Sequence, residues 1–270
     1  MKGIDNMKKT KIITLLVAFF ASTQIVNAVV CTPATKLTNP GYGKVATYNN
    51  QYDIGTEYIC NPGDGKLRSF YVISSTPSSV EMIADRNLGD NRVAFVNKSD
   101  FKKVGGSDYN WQVKPIAYGG QTAYKYLNEK TKNWKYVTVS MPSLTTISKV
   151  NGNIVTKIVN GNYKLTNNEM ILNNIFYSNL ATMNMDGVSV SNNCMSNSFC
   201  ATVSGYWLSD AWMFNENNKV TSKAYQVLKM SYRNKTTGGR INKTANLGIN
   251  GKVGVRPVIT VNKKYIAKIR

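Results

Sequence analysis

Apolar and polar positions along this chain change their period twice, from two to three or four and back to two. Arg68 to Ser74 and Ser79 to Asp85 are short β-prone runs, and the connector Ser75-Thr76-Pro77-Ser78 carries turn residues. Together they predict a hairpin. Residues 87–120 hold Gly, Asp and Asn with few periodic apolar positions, which predicts a long loop region. Thr122 to Asn133 then places Ala123, Tyr126 and Leu127 on one helical face, and Trp134 to Met141 alternates as a strand does. Pro142 and Ser143 open a short helix with Leu144, Ile147 and Val150 at spacing three, and Asn151-Gly152 stops it. Ile154 to Val159 precedes an Asn160-Gly161 turn and reads as a hairpin arm. Thr166-Asn167-Asn168-Glu169 matches a capping box, in which the threonine and glutamate side chains each satisfy a backbone donor. The stripe Ile171, Leu172, Ile175, Phe176 and Leu180 behind it predicts an amphipathic helix whose apolar face is core. From Gly205 strand patterning returns, with Tyr206 to Ser209 and Tyr225 to Tyr232. Ala245 to Ile249 and Lys252 to Val261 flank Asn250-Gly251, a two-residue hairpin turn. Strands at both ends around central helices give an α+β class with an antiparallel sheet, not alternating βαβ units.

The start of the chain stands apart from this pattern. Met7 is followed by Lys8, Lys9 and Lys11, then by the apolar run Ile12 to Ala21, then by Val26-Asn27-Ala28, a small-x-small cleavage site. That three-part order is the pattern of a secretory signal peptide over residues 1–28. The apolar run is shorter than the roughly 20 residues a membrane-spanning helix needs, although an uncleaved anchor is the competing reading. Residues 29–57, rich in Gly, Pro, Asn and Thr, read as an irregular N-terminal segment, and 58–270 as a single domain. The expected location is secreted or at the cell surface, with no transmembrane segment once the leader is removed.

Compartment then frames the cysteines. All four, Cys31, Cys60, Cys194 and Cys200, lie beyond the leader. An even number in an oxidising compartment predicts two disulfides. Three pairings exist; the local one, Cys31–Cys60 with Cys194–Cys200, is the one expected. A zinc site from the four lacks any C-x-x-C knuckle, and a catalytic thiol would need one of them unpaired. The chain contains no histidine, which removes Ser-His-Asp and Cys-His catalysis and the commonest metal ligand. No cofactor and no metal site is expected; the oxygen-rich run Asn215-Glu216-Asn217-Asn218 is a weak calcium candidate only.

The formal charge is +20. One explanation is an anionic partner; the other is a Lys- and Asn-rich composition with no function attached. The lysines are spread singly, and no nucleic-acid-binding module is present, so specific nucleic-acid recognition is not expected.

Gly205-Tyr206-Trp207-Leu208-Ser209, followed by Gly254-Val255-Arg256-Pro257-Val258-Ile259, resembles the closing signature of a group of exported bacterial domains of unassigned function. Those domains resemble the C-type-lectin-like fold, also used by sulfatase-modifying enzymes and by retroelement-diversified receptor proteins. Phe70 to Leu88 resembles their opening hairpin, and Met141-Pro142-Ser143 their helix start. The resemblance spans roughly residues 58–265. It implies small, mostly antiparallel sheets, two or three flanking helices and long loops that present a variable surface; it does not imply a ligand. The paired motifs of calcium-dependent sugar binding and the redox-active cysteine of the sulfatase-modifying kind are not found here.

Trp207 and Arg256 read as structural residues of this signature, the tryptophan in the core and the arginine paired with a carboxylate or with carbonyls near the sheet end, because a buried charge needs partners. Tyr109, Trp111 and Trp212 sit in polar, loop-like surroundings. There they either stack on a ligand or cap the core from outside. Asp210 and Arg240 are further candidates for polar contacts. The function expected is a binding module for a glycan, a cell-envelope polymer or a host or partner protein. A carboxylate-based glycan hydrolase or thiol enzyme, and a structural or adhesive surface protein, are the alternatives.

Overall fold

The computed structural model describes residues 28–89, 91–103, 120–151, 155–157, 163–165, 174–176, 200–216, 219–232, 235–244 and 253–269. The leader, Tyr109, Trp111, Cys194 and most of the stripe after the capping box therefore lie outside the described residues, as do the side chains of Cys200, Trp212 and Arg240.

Six strands form the main sheet: β1 (Cys31–Pro33), β2 (Glu57–Cys60), β3 (Arg68–Ser75), β4 (Ser79–Ala84), β5 (Val137–Ser140) and β11 (Val258–Asn262). Their spatial order is β1-β2-β3-β4-β11-β5, and every neighbouring pair is antiparallel. Two short strands, β6 (Val155–Lys157) and β7 (Tyr163–Leu165), pair with each other. Three long ones, β8 (Cys200–Glu216), β9 (Lys219–Tyr232) and β10 (Lys235–Thr244), form a separate antiparallel sheet. The helices are α1 (Lys98–Lys103), α2 (Gln121–Thr131) and α3 (Leu144–Asn151). Mostly antiparallel sheet with few helices makes the chain α+β.

Along β3 and β4 the main sheet is largely buried on both faces, which is why these strands read as nearly continuous apolar runs. Phe70 and Val72 of β3, Val80, Met82 and Ala84 of β4, and Ile259 and Val261 of β11 belong to one core with Ala123 and Leu127 of α2 and with Trp207. The intervening residues Tyr71, Ile73, Ile83 and Val258 belong to a second core with Leu144 and Ile147 of α3, Ile175 and Phe176, and Tyr206, Leu208, Tyr225 and Val227 of the three-stranded sheet. Alternation along a pleated strand sends successive side chains to opposite layers. Both layers here are apolar, with α2 in one and α3 in the other, while β8 and β9 contribute side chains to both.

The predicted hairpin 68–85 is present as β3–β4, with Thr76 Oγ1 accepting from Ser79 N at 3.0 Å in its turn. The helix opened by Pro142-Ser143 is α3. Ser143 Oγ accepts from Thr146 N at 3.0 Å and Asp210 Oδ2 from Leu144 N at 2.7 Å, so two of the helix's orphan donors are met by side chains. The predicted hairpin across Asn160-Gly161 appears as β6–β7. Within the predicted capping-box helix, the described stretch Asn174–Phe176 is a 3₁₀ turn, and its Ile175 and Phe176 are buried in the second core.

Two expectations change. The second strand of the hairpin predicted across Asn250-Gly251, Lys252 to Val261, does not run as one strand. Val253 and Gly254 make isolated bridges, to Val93 and Tyr206, and the strand proper, β11, starts at Val258; the turn and the other arm of that hairpin, 245–251, lie outside the described residues. The loop region 87–120 also contains α1, a helix of six residues. Asn97 caps it, its Oδ1 accepting from Asp100 N at 2.7 Å, while Asp100 Oδ2 accepts from Thr122 Oγ1 at 2.8 Å and so ties α1 to the start of α2.

In the segment 29–57 turns predominate, with β1 at one end and Glu57 of β2 at the other. The Cys31–Cys60 disulfide joins β1 to β2 across their register pair. Beyond β11 the chain returns to β1: Val30 N donates to Tyr265 O at 2.8 Å and Ala267 N to Cys31 O at 2.9 Å. No helix among the described residues is long and apolar enough to cross a membrane. The disulfide and this observation fit an extracellular protein.

A candidate anion-binding cleft

The turn from β2 to β3, Asn61-Pro62-Gly63-Asp64-Gly65-Lys66, is built around one side chain. Asn61 Oδ1 accepts from the backbone N–H groups of Gly63 and Gly65 at 3.0 and 3.2 Å. Both glycines have positive φ, 100° and 76°, a region that costs a side chain dearly. The tight turn lifts Asp64 and Lys66 to the surface beside the first residues of β3. Arg68 grips Asp64 with both terminal nitrogens, at 2.9 and 2.6 Å, and its guanidinium lies 4.9 Å from the centre of the Trp134 ring. Trp134 Nε1 donates to the same carboxylate at 3.0 Å. Hydrogen bonds from Arg68 lead the causes that hold the Asp64 carboxyl down at about 2, followed by burial acting the other way and the Lys66 N–H, with Trp134 contributing after them.

Across from this turn, the connector after β4 runs Ala84-Asp85-Arg86-Asn87-Leu88-Gly89. Asp85 is buried and accepts from Tyr42 Oη at 2.7 Å, Tyr71 Oη at 3.3 Å and Arg86 Nη2 at 3.1 Å. Burial, and then the negative charge of Asp85, push the Tyr71 phenol well above its ordinary range; the same causes raise Tyr42. Arg86 keeps a side chain that is 71% exposed. Tyr126 of α2 donates to Leu88 O at 2.8 Å, which brings Lys130, one turn further along that helix, to the same place.

These two connectors, Lys130 and Pro257 enclose a cleft of about 560 Å³. Four cationic side chains line it, Lys66, Arg68, Arg86 and Lys130, against two carboxylates, Asp64 and Asp85, each already holding partners. Asn87 also lines it; its Nδ2 donates to Gly205 O at 3.0 Å, and its buried Oδ1 has no hydrogen-bond partner. A cleft with this excess of cations attracts anions.

Compared with known protein families, with curated proteins and with solved structures, the chain matches none. Its function is therefore argued from its own side chains.

The residues singled out from the sequence fall in several places. Trp207 is wholly buried, donates from Nε1 to Val93 O at 2.7 Å and packs against Phe95 at 5.2 Å between ring centres. Arg256 is wholly buried too. It donates from Nε to Ala84 O at 2.6 Å and from Nη2 to Asp85 O at 3.2 Å, with its guanidinium 5.4 Å from the centre of the Tyr206 ring. Arg256 thus props the backbone of the cleft's floor from beneath and reaches no ligand itself. Asp210 caps α3, and burial raises its pKa against the lowering effect of the Leu144 N–H. In the backbone register, Trp212 lies opposite Lys223 and Arg240 opposite Leu228. The calcium candidate 215–218 ends outside the described residues. The cleft's own cations were not singled out: they come from positions 66, 68, 86 and 130, and no spacing rule joins them. The one local clue was two turns, Gly63-Asp64-Gly65-Lys66 and Asp85-Arg86-Asn87, each pairing an acid with a base.

Proposed function

We propose that this chain is an exported binding module of C-type-lectin-like architecture that holds an anionic group of a glycan or cell-envelope polymer in the cleft, and that it binds rather than catalyses. The observation that carries the reading is a cleft of about 560 Å³ lined by four cationic side chains against two carboxylates, so that Lys66 and Lys130 stand in excess of the Arg68–Asp64 and Arg86–Asp85 pairs. The leader pattern and the Cys31–Cys60 bridge support export. The lectin-like architecture is supported by the burial of the two signature residues, Trp207 and Arg256.

The test is equilibrium binding of polygalacturonate and of inorganic polyphosphate to the full chain and to Lys66→Glu, Arg86→Glu and Lys130→Glu. All three side chains are exposed, and because Arg86 also partners the buried Asp85, its reversal is paired with a thermal-unfolding control. Each reversal is expected to weaken both polyanions roughly fivefold at low salt, with the difference shrinking as salt rises. No binding of either polyanion, or affinities indifferent to all three reversals, would overturn the proposal. An oligonucleotide that binds more tightly than both would point to a different partner class.

A further inference from the structure

The wall of the cleft continues into a second surface. Lys135 N donates to Pro62 O at 2.6 Å, so the residues after Trp134 are pinned to the outer side of the Asn61–Lys66 turn. Next comes Tyr136, whose φ is 64°; among the described residues it is the one non-glycine with positive φ. Such a conformation is uncommon for a residue with a side chain and persists where the surroundings impose it. Here it turns an aromatic ring outward: Tyr136 is 50% exposed, with its ring centre 4.9 Å from that of Tyr265. The ammonium of Lys264 lies 4.9 Å from the centre of the Tyr265 ring. An outward aromatic face beside a cation thus lies next to the turn that walls the cationic cleft.

We infer that the cleft, the Asn61–Lys66 turn and the Tyr136–Tyr265 pair form one track for a polymer of sugar rings that carry carboxylate or phosphate groups. The inference rests on the anion-binding reading of the cleft and adds the ring. A sugar presents an apolar C–H face that packs on an aromatic plane, while its acid groups meet Lys264 on one side of the turn and the cleft cations on the other. A polyanion without rings uses the charges and gains nothing from Tyr136.

Full-length protein is titrated with oligomeric polygalacturonate, with polyphosphate of matched charge, and with dextran, which has rings but no charge. Tyr136→Gly removes the ring and suits the left-handed backbone, so the fold is retained; Tyr136→Phe keeps the ring. Tyr136→Gly is expected to weaken polygalacturonate about tenfold, to leave polyphosphate within about twofold of the parent, and to be rescued by Tyr136→Phe. Dextran is expected to bind far more weakly than polygalacturonate. Polygalacturonate affinity unchanged in Tyr136→Gly overturns the inference and leaves the cleft reading standing. An equal loss for both polyanions also overturns it, because the effect would then be structural. Absence of binding by both polyanions removes the cleft reading and this inference together.

Discussion

Replacing Asp64 by Asn removes one charge from the latch on the cleft wall and keeps a single acceptor oxygen, enough for either Lys66 N, now on Oδ1, or Trp134 Nε1, now on Oδ2, but not both. The carboxyl sits at about 2 in the folded chain against an ordinary 3.8, and each pH unit of such a shift is about 1.4 kcal/mol. Asp64 and Arg68 side chains are 17% and 25% exposed, so solvent screening trims the full value. The expected loss at pH 7 is roughly 1–2 kcal/mol, a fall in Tm of about 3–6 °C for a domain of this size. Because the folded carboxyl is the more acidic, its contribution is complete above about pH 4 and disappears as the pH falls through about 2. Urea unfolding of both proteins from pH 6 to pH 2 should show a gap that is constant down to about pH 4 and then closes. A gap that stays flat across that window, or an Asp64→Asn variant as stable as the parent at pH 7, would refute the electrostatic account of the latch. The same substitution releases Arg68 from its counter-ion, so polyphosphate affinity is expected to hold or rise while stability falls.

Arg256→Met takes away donors that hold Ala84 O and Asp85 O in a fully buried site, and is expected to cost at least about 3 kcal/mol in thermal unfolding; Arg256→Lys cannot restore the two-pronged contact and should recover little. The Cys31–Cys60 bridge closes a loop of sequence separation 29, worth about 3.5 kcal/mol by loop closure. Removing both of these cysteines should cost stability of that order in urea unfolding, and a change under about 1 kcal/mol would mean that β1 is held by its hydrogen bonds alone.

What the sequence made legible was local. The β3–β4 hairpin followed from two apolar runs around Thr76-Pro77, and α3 from a proline and a capping serine, features contained within a few residues. Arg256 was legible as a buried cation, although which carbonyls it would meet was open until β4 and the segment before β11 came together. The predicted strand from Lys252 is shortened to β11 because its first part is taken up by isolated bridges to Val93 and Tyr206, distant partners that a local alternation cannot name. α1 carried too few residues for a stripe. The cleft was invisible for a topological reason: Lys66, Arg86 and Lys130 meet only because the hairpin sets one connector beside the other and Tyr126 draws α2 onto Leu88.

The meeting of the two chain ends at β1 has a mechanical consequence. Cys31 and Ile266 are bridged in parallel, so the incoming and outgoing backbones leave that contact at opposite ends of it. Tension between the two ends therefore loads the bonds Val30 N to Tyr265 O and Ala267 N to Cys31 O in shear, both together, instead of peeling them one by one. With Cys31 bonded through sulfur to Cys60, the pull passes next into β2 and the interior of the sheet. A domain clasped in this way keeps its cleft shaped under load.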